Sequence, residues 1–145
     1  MTELPPTALT ATECWALLRS DTLGRVALAA GGEIDIFPVN YVVDADETIV
    51  FRTAPGTKLA ELTIRPTVAF EIDGAVRADL FSVIVKGEAR RIEDPAEIAA
   101  AAELPLTPWI PTVKEHFIRI VPSWVTGRRF TPGPEPEIDP AGTAA

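Results

Sequence analysis

Apolar and polar positions alternate along most of this chain, broken by three stretches that read as helices. In "LTATECWALLRSD" (9–21), Leu9, Trp15, Leu17 and Leu18 form one face of a short helix. Thr10 or Thr12 can cap it, and Glu13 strengthens the start if Thr10 is the cap. "LGRVALAA" (23–30) reads as a strand ended by Gly31-Gly32, which predicts a tight hairpin into "EIDIFPVNYVVD" (33–44). Pro38 cannot donate a ladder hydrogen bond, so a bulge or an exposed edge is expected near Pro38–Asn40. After the polar turn "DADE", "TIVFRT" (48–53) returns as a third antiparallel strand.

Downstream, "GTKLAELTI" (56–64) reads as a short helix and "PTVAFEID" (66–73) as a strand with Val68, Phe70 and Ile72 on one side. "LFSVIVKGEARRIED" (80–94) is a long strand with Val83, Val85 and Ala89 facing one way. "PAEIAAAAEL" (95–104) is a helix opened by Pro95 at a favoured first-turn position. "PLTPWIP" is a rigid loop, and "EHFIRIVPSWVTGRRF" (115–130) is the last strand. About six strands joined largely by hairpins, with short helices and no repeated βαβ alternation, predict a mostly β, antiparallel barrel. One domain spans 1–130, and the Pro-, Gly- and acid-rich 131–145 is expected to be a disordered tail.

Composition narrows the function. The 145 residues suit one domain, and 47% hydrophobic content is enough for a packed core. A formal charge of −8 argues against nucleic acid or an anionic membrane surface as partner. No apolar run approaches the roughly 20 residues of a membrane helix, and the N-terminus lacks a signal-peptide pattern. The single cysteine, Cys14, allows no internal disulfide, which fits a cytoplasmic protein; beside Trp15 it reads as a small buried hydrophobe. One Cys and one His, His116, make no typical zinc site, and no metal is expected. His116 sits beside Phe117 in a strand and reads as structural.

Against this acidic background "FRTAPGTKL" (51–59) concentrates cations and hydroxyls. Arg52 and Lys58 are pure donors, Thr53 and Thr57 add hydroxyls, and Gly56 permits close backbone approach. Taken alone, the stretch reads first as a surface turn with solvated cations and second as a cradle for a phosphate monoester. It is not a Walker loop, because GxxxxGK is missing. "PVNYV" reads either as an edge-strand kink or as irregular backbone offering hydrogen bonds to a flat heterocycle. "WVTGRRF" reads either as a core Trp with a solvated Arg pair or as part of a site.

In this order, "GRVAL…FPVNYVV…TIVFRTAPGTKLAEL…VAFEID…FSVIVKGEARRI…IRIVPSWVTGRRF" resembles the flavin-binding split-barrel proteins related to pyridoxamine 5′-phosphate oxidase. The resemblance covers 9–130. It implies a six-stranded split β-barrel forming a homodimer, with FMN in clefts between subunits. It implies that Arg52, Thr53, Thr57 and Lys58 hold the FMN phosphate. Ile36 to Asn40 would run beside the isoalloxazine ring, with Pro38, Val39 and Asn40 contributing contacts. Trp124 and Arg128 would reach over the cofactor from the partner subunit. Relatives of this fold also use a deazaflavin, and the Ala- and Val-rich, Lys-poor composition keeps that cofactor open.

The chain departs from the oxidase proper. It runs into an acidic tail where the oxidase has a basic, His-containing segment, so pyridoxamine phosphate oxidation is not expected. Leu80-Phe81 stands where small relatives carry a Trp, so that wall of the cleft differs. The resemblance therefore implies an FMN-dependent oxidoreductase of nitro- or quinone-reductase type, passing hydride from NAD(P)H or a deazaflavin to a small acceptor. A non-enzymatic flavin carrier is the other reading. No side chain stands out as catalytic.

Overall fold

The computed structural model describes residues 6–54, 66–106 and 116–134. Its elements are β1 (Thr7–Ala8), α1 (Ala11–Arg19), β2 (Leu23–Ala30), β3 (Glu33–Val43), β4 (Ile49–Thr53), β5 (Thr67–Val76), β6 (Asp79–Arg91), α2 (Pro95–Ala102) and β7 (His116–Phe130). The expected helix at 56–64 and the Pro-rich loop from 107 on lie outside the described residues, as does the tail from 135 on.

All ladders are antiparallel, in the order β1-β7-β4-β3-β2-β5-β6. A further β6–β7 pairing closes the six longer strands into a barrel. The long β7 makes closure possible. One of its edges follows β6 from Ile118 to Phe130, and the other pairs first with β4 and then, at Arg128 and Arg129, with β1. This is the six-stranded split barrel expected from the alternation.

The hairpin at Gly31-Gly32 forms as expected. Ala30 pairs with Glu33, and both glycines take positive φ (60° and 79°), as a two-residue turn matching strand twist requires. Of the two outcomes expected at Pro38–Asn40, the exposed edge forms and the bulge does not. The β2 register runs unbroken from Leu23↔Asn40 to Ala30↔Glu33, and the β4 ladder covers only Tyr41–Val43, so Pro38 lies beyond it. The register shift sits instead in β6 between Lys86 and Gly87. There β7 comes so close that a Cβ on Gly87 would lie 2.1 Å from the Val121 carbonyl oxygen.

Inward positions of every long strand fill the barrel. Val26, Leu28, Tyr41, Phe51, Phe70, Ile72, Val83, Val85, Ile118 and Ile120 are buried there. Tyr41 and Phe70 meet edge to face, 4.8 Å between centroids. The helix α1 plugs one side with Cys14, Trp15 and Leu18. Thr10 is its cap: the Glu13 amide donates to Thr10 Oγ1 at 3.2 Å, and the Thr10 amide donates to Glu13 Oε1 at 3.0 Å. On the outside, α2 packs Ala101 against Val50, Ile92 and Phe117. Asp94 caps it and Pro95 opens it.

Candidate functional site

The site grows from the C-terminal end of β4. Tyr41 pairs with Phe51 and Val42 with Val50. Asn40 and Arg52 each stand one residue beyond the Tyr41–Phe51 pair, at the same end of the ladder. Both have the side-chain parity of Val42 and Val50, which faces outward. Arg52 is half-buried, and its guanidinium carbon lies 5.1 Å from the centre of the Phe117 ring, a cation–π contact. Thr53 is buried at the strand end opposite His116. Thr57 and Lys58 lie outside the described residues.

On β3, Pro38 is exposed opposite Arg25 and Val39 is buried opposite Gly24. Asn40 is half-buried opposite Leu23, and its Nδ2 donates to the Thr22 carbonyl at 3.4 Å. The structure thus brings Pro38–Asn40 and Arg52–Thr53 to one corner. It does not bring Trp124 or Arg128 there within one protomer. Trp124 lies seven residues past Phe117 on β7, up to roughly 23 Å along a strand rising about 3.3 Å per residue. Trp124 is 50% exposed rather than a core residue, with Lys86 Nζ 4.6 Å from its ring centre. Arg128 is exposed, opposite Ser82 on β6.

Several cations are held in structural pairs. Buried Arg119 donates through Nη1 to Asp44 Oδ2 at 3.0 Å and to Thr48 Oγ1, tying the Asp44–Thr48 turn to β7. A backbone hydrogen bond from Ala45, then the Arg119 contact, holds the Asp44 carboxyl below its ordinary range. Arg90 makes two bonds to Glu97 and so depresses that carboxyl. Arg25 bonds both Glu71 and Asp73. Cys14 is buried, and burial pushes its thiol up, away from the reactive thiolate. Among the described residues no cluster of three His, Cys, Asp or Glu side chains could hold a metal, and no helix is long and apolar enough to cross a membrane.

Sequence reasoning passed over a second feature of this corner. Arg91, Ile92 and Glu93 at the end of β6, Ile98 on α2, and His116 and Phe117 at the start of β7 line a cleft of about 320 Å³. Its one signal in the sequence is the charged run "ARRIED" meeting the first apolar residues of "HFIRI". His116 read as structural; it is half-buried and lines this cleft.

Comparison with known proteins agrees with this architecture. The sequence pattern of the family described as pyridoxamine 5′-phosphate oxidase matches residues 10–129. The chain belongs to that family. A Corynebacterium glutamicum crystal structure is 41% identical and superposes with a TM-score of 0.82, over 93% of this chain and 100% of that one. The FAD binding protein from Mycobacterium smegmatis is 46% identical, with a TM-score of 0.76 over 88% of this chain and 100% of that one. An uncharacterized Mycobacterium tuberculosis protein is 42% identical over 90 residues, 62% of this chain and 82% of that protein.

Proposed function

We propose that this chain is a flavoprotein oxidoreductase that grips the FMN unit of its cofactor at the end of β4. The observation that carries the reading is the corner itself: a half-buried guanidinium and a buried hydroxyl at a strand end, Arg52 and Thr53, next to the β3 segment Pro38–Asn40. That donor set suits a phosphate beside a flat, polar-edged ring. The 46% identical relative named for FAD binding supports the same class of ligand.

In this reading Arg52 and Thr53, with Thr57 and Lys58, hold the phosphate. Phe117 fixes the Arg52 guanidinium in place, so less side-chain freedom is lost on binding. The β3 backbone and Asn40 run along the ring. Bound there, the flavin would supply two-electron redox chemistry, taking hydride from NADH or NADPH and passing it to a small nitro- or quinone-type acceptor. The protein's part is to hold, orient and leave one face open. The active species is a homodimer in which Trp124 and Arg128 complete the partner's cleft. A row of register partners across the barrel wall supports this: Ile36, Ala27, Ala69, Lys86 and Trp124 lie on five adjacent strands. Its two ends, Ile36 and Trp124, are 66% and 50% exposed, and in this reading the partner covers them.

The absorption spectrum of the purified protein, before and after anaerobic NADH or NADPH, tests the proposal. A flavin spectrum that bleaches on reduction is expected. The shorter-wavelength spectrum of a deazaflavin would replace the cofactor. A bound flavin that neither donor bleaches would make the protein a carrier instead of an enzyme.

A further inference from the structure

Among the described residues, two non-glycine positions take positive φ, and both carry charge: Glu47 (58°) and Arg77 (59°). That backbone region strains most side chains. Glu47 has a partner, accepting a hydrogen bond from Arg19 Nη2 at 3.1 Å. Arg77 sits at the tip of the β5–β6 hairpin, between the paired residues Val76 and Asp79. It is exposed and has no ion pair among the described residues. In a chain of net charge −8, an unpaired guanidinium held in a strained turn points to a local anion.

The same hairpin end forms one wall of an apolar pocket of about 200 Å³. Leu9, Ala16 and Leu17 line it on the α1 side, and Val76, Leu80 and Phe81 on the hairpin side. That volume lies below the usual range of small-molecule sites and suits one branched aliphatic side chain. Val76 and Leu80 stay 36% and 37% exposed at its edge. The carboxylates of its rim are already engaged. Asp79 accepts from Arg129 Nε and from Thr131 Oγ1, each at 2.8 Å, and Glu13 accepts from the Thr10 amide. What the pocket offers is apolar contact.

The chain itself carries the matching piece. It leaves β7 at this pocket, where Thr131 is bonded to Asp79 on the wall. Beyond Pro134 the sequence runs Glu135-Pro136-Glu137-Ile138-Asp139-Pro140, with three carboxylates around the one large aliphatic side chain after Phe130. The chain from Thr131 to Ile138 can reach up to roughly 23–25 Å, ample for a pocket that begins at the partner of Thr131. The prolines reduce the chain freedom that docking removes. We infer that this C-terminal segment folds back onto its own domain, with Ile138 in the pocket between α1 and the β5–β6 hairpin and the flanking carboxylates on Arg77.

Limited digestion of the full-length protein with a glutamate-specific protease tests the docking. Pro136 blocks cleavage after Glu135, so Glu137–Ile138 is the cleavable bond of the segment. Mass spectrometry follows its loss, with a free peptide of residues 131–145 as reference. The bond is expected to be cut about tenfold or more slowly in the protein than in the peptide, the protection given when about nine chains in ten are docked. Arg77→Gly, which suits the positive φ, and Val76→Asp, which puts a charge on the pocket wall, should each bring the rate to within about twofold of the peptide. Thermal unfolding checks that each variant folds, and Leu80→Asp replaces Val76→Asp if it does not. Equal rates in parent and peptide, or protection that survives both variants, would overturn the docking. Protection that fades on dilution would place the segment on a second copy and overturn the fold-back as well.

Discussion

Two residues carry sharply different kinds of information. Gly87 is a packing constraint: a Cβ there meets Val121 O at 2.1 Å, Val121 C at 2.8 Å and Pro122 Cα at 2.9 Å, all backbone atoms that cannot swing aside. Gly87→Ala should therefore destabilise by about 1–3 kcal/mol, the cost of overpacking, read as a lower midpoint in urea with unchanged slope. Arg52 is the proposed binding constraint. It is half-buried against Phe117, so Arg52→Ala loses a cation–π contact and should lower stability by about 0.5–2 kcal/mol. Flavin retention, measured by equilibrium dialysis, should weaken by about 1–3 kcal/mol, as for a lost charge-assisted contact. Lys58→Ala should act in the same direction. Unchanged cofactor content in the double variant would remove the phosphate assignment.

At the scale of elements, α1 depends on its first turn. Its nine residues are too few to be stable alone, so capping and the burial of Cys14, Trp15 and Leu18 hold it together. Thr10→Ala removes the side-chain acceptor of the Glu13 amide and should cost about 1 kcal/mol, visible as a lowered thermal midpoint with native circular dichroism. The turn between β3 and β4 depends on a distant strand. Asp44, Asp46 and Thr48 gather around Arg119, 75 residues from Asp44 in sequence, so β7 fixes the hairpin that presents Arg52.

At the scale of the whole molecule, acid sensitivity follows from the ion pairs. The carboxyls of Asp44 and Glu97 are depressed in the folded state by their hydrogen bonds and arginine partners. Groups lowered on folding stabilise the native state above their unfolded pKa, here 3.8 for Asp44 and 4.5 for Glu97. That contribution is lost as pH falls through the lower folded values. Chemical denaturation at a series of pH values should show stability declining below about pH 4.5, with a shallower decline in Asp44→Asn. Assembly is the other property at this scale. Sedimentation should show a dimer, and Ile36→Glu or Trp124→Glu should shift it to monomer by placing a charge in the row proposed as the interface. A flavin-loaded parent that sediments as a monomer would refute the cross-subunit role of Trp124 and Arg128.

Local periodicity alone was enough to locate nearly every described element. Alternation at Val68, Phe70, Ile72 and at Val83, Val85, Ala89 marked buried faces, and the Gly31-Gly32 pair marked the first hairpin. These signals are short-range, so one sequence contains them. The family likeness likewise rested on segment order, and with it the fold. Closure of the barrel was decided only in three dimensions, because the β4–β7 and β6–β7 ladders join residues far apart in the chain. So was the site of the bulge: Pro38 is the visible irregularity in the sequence, but Gly87 is where β7 crowds the backbone. The sequence singled out Arg52 and Thr53 by their contrast with an acidic chain. It took tertiary structure to set Asn40 beside them and to open a cleft between Arg91, Ile98 and His116, because those residues meet only through the packing of β6, α2 and β7.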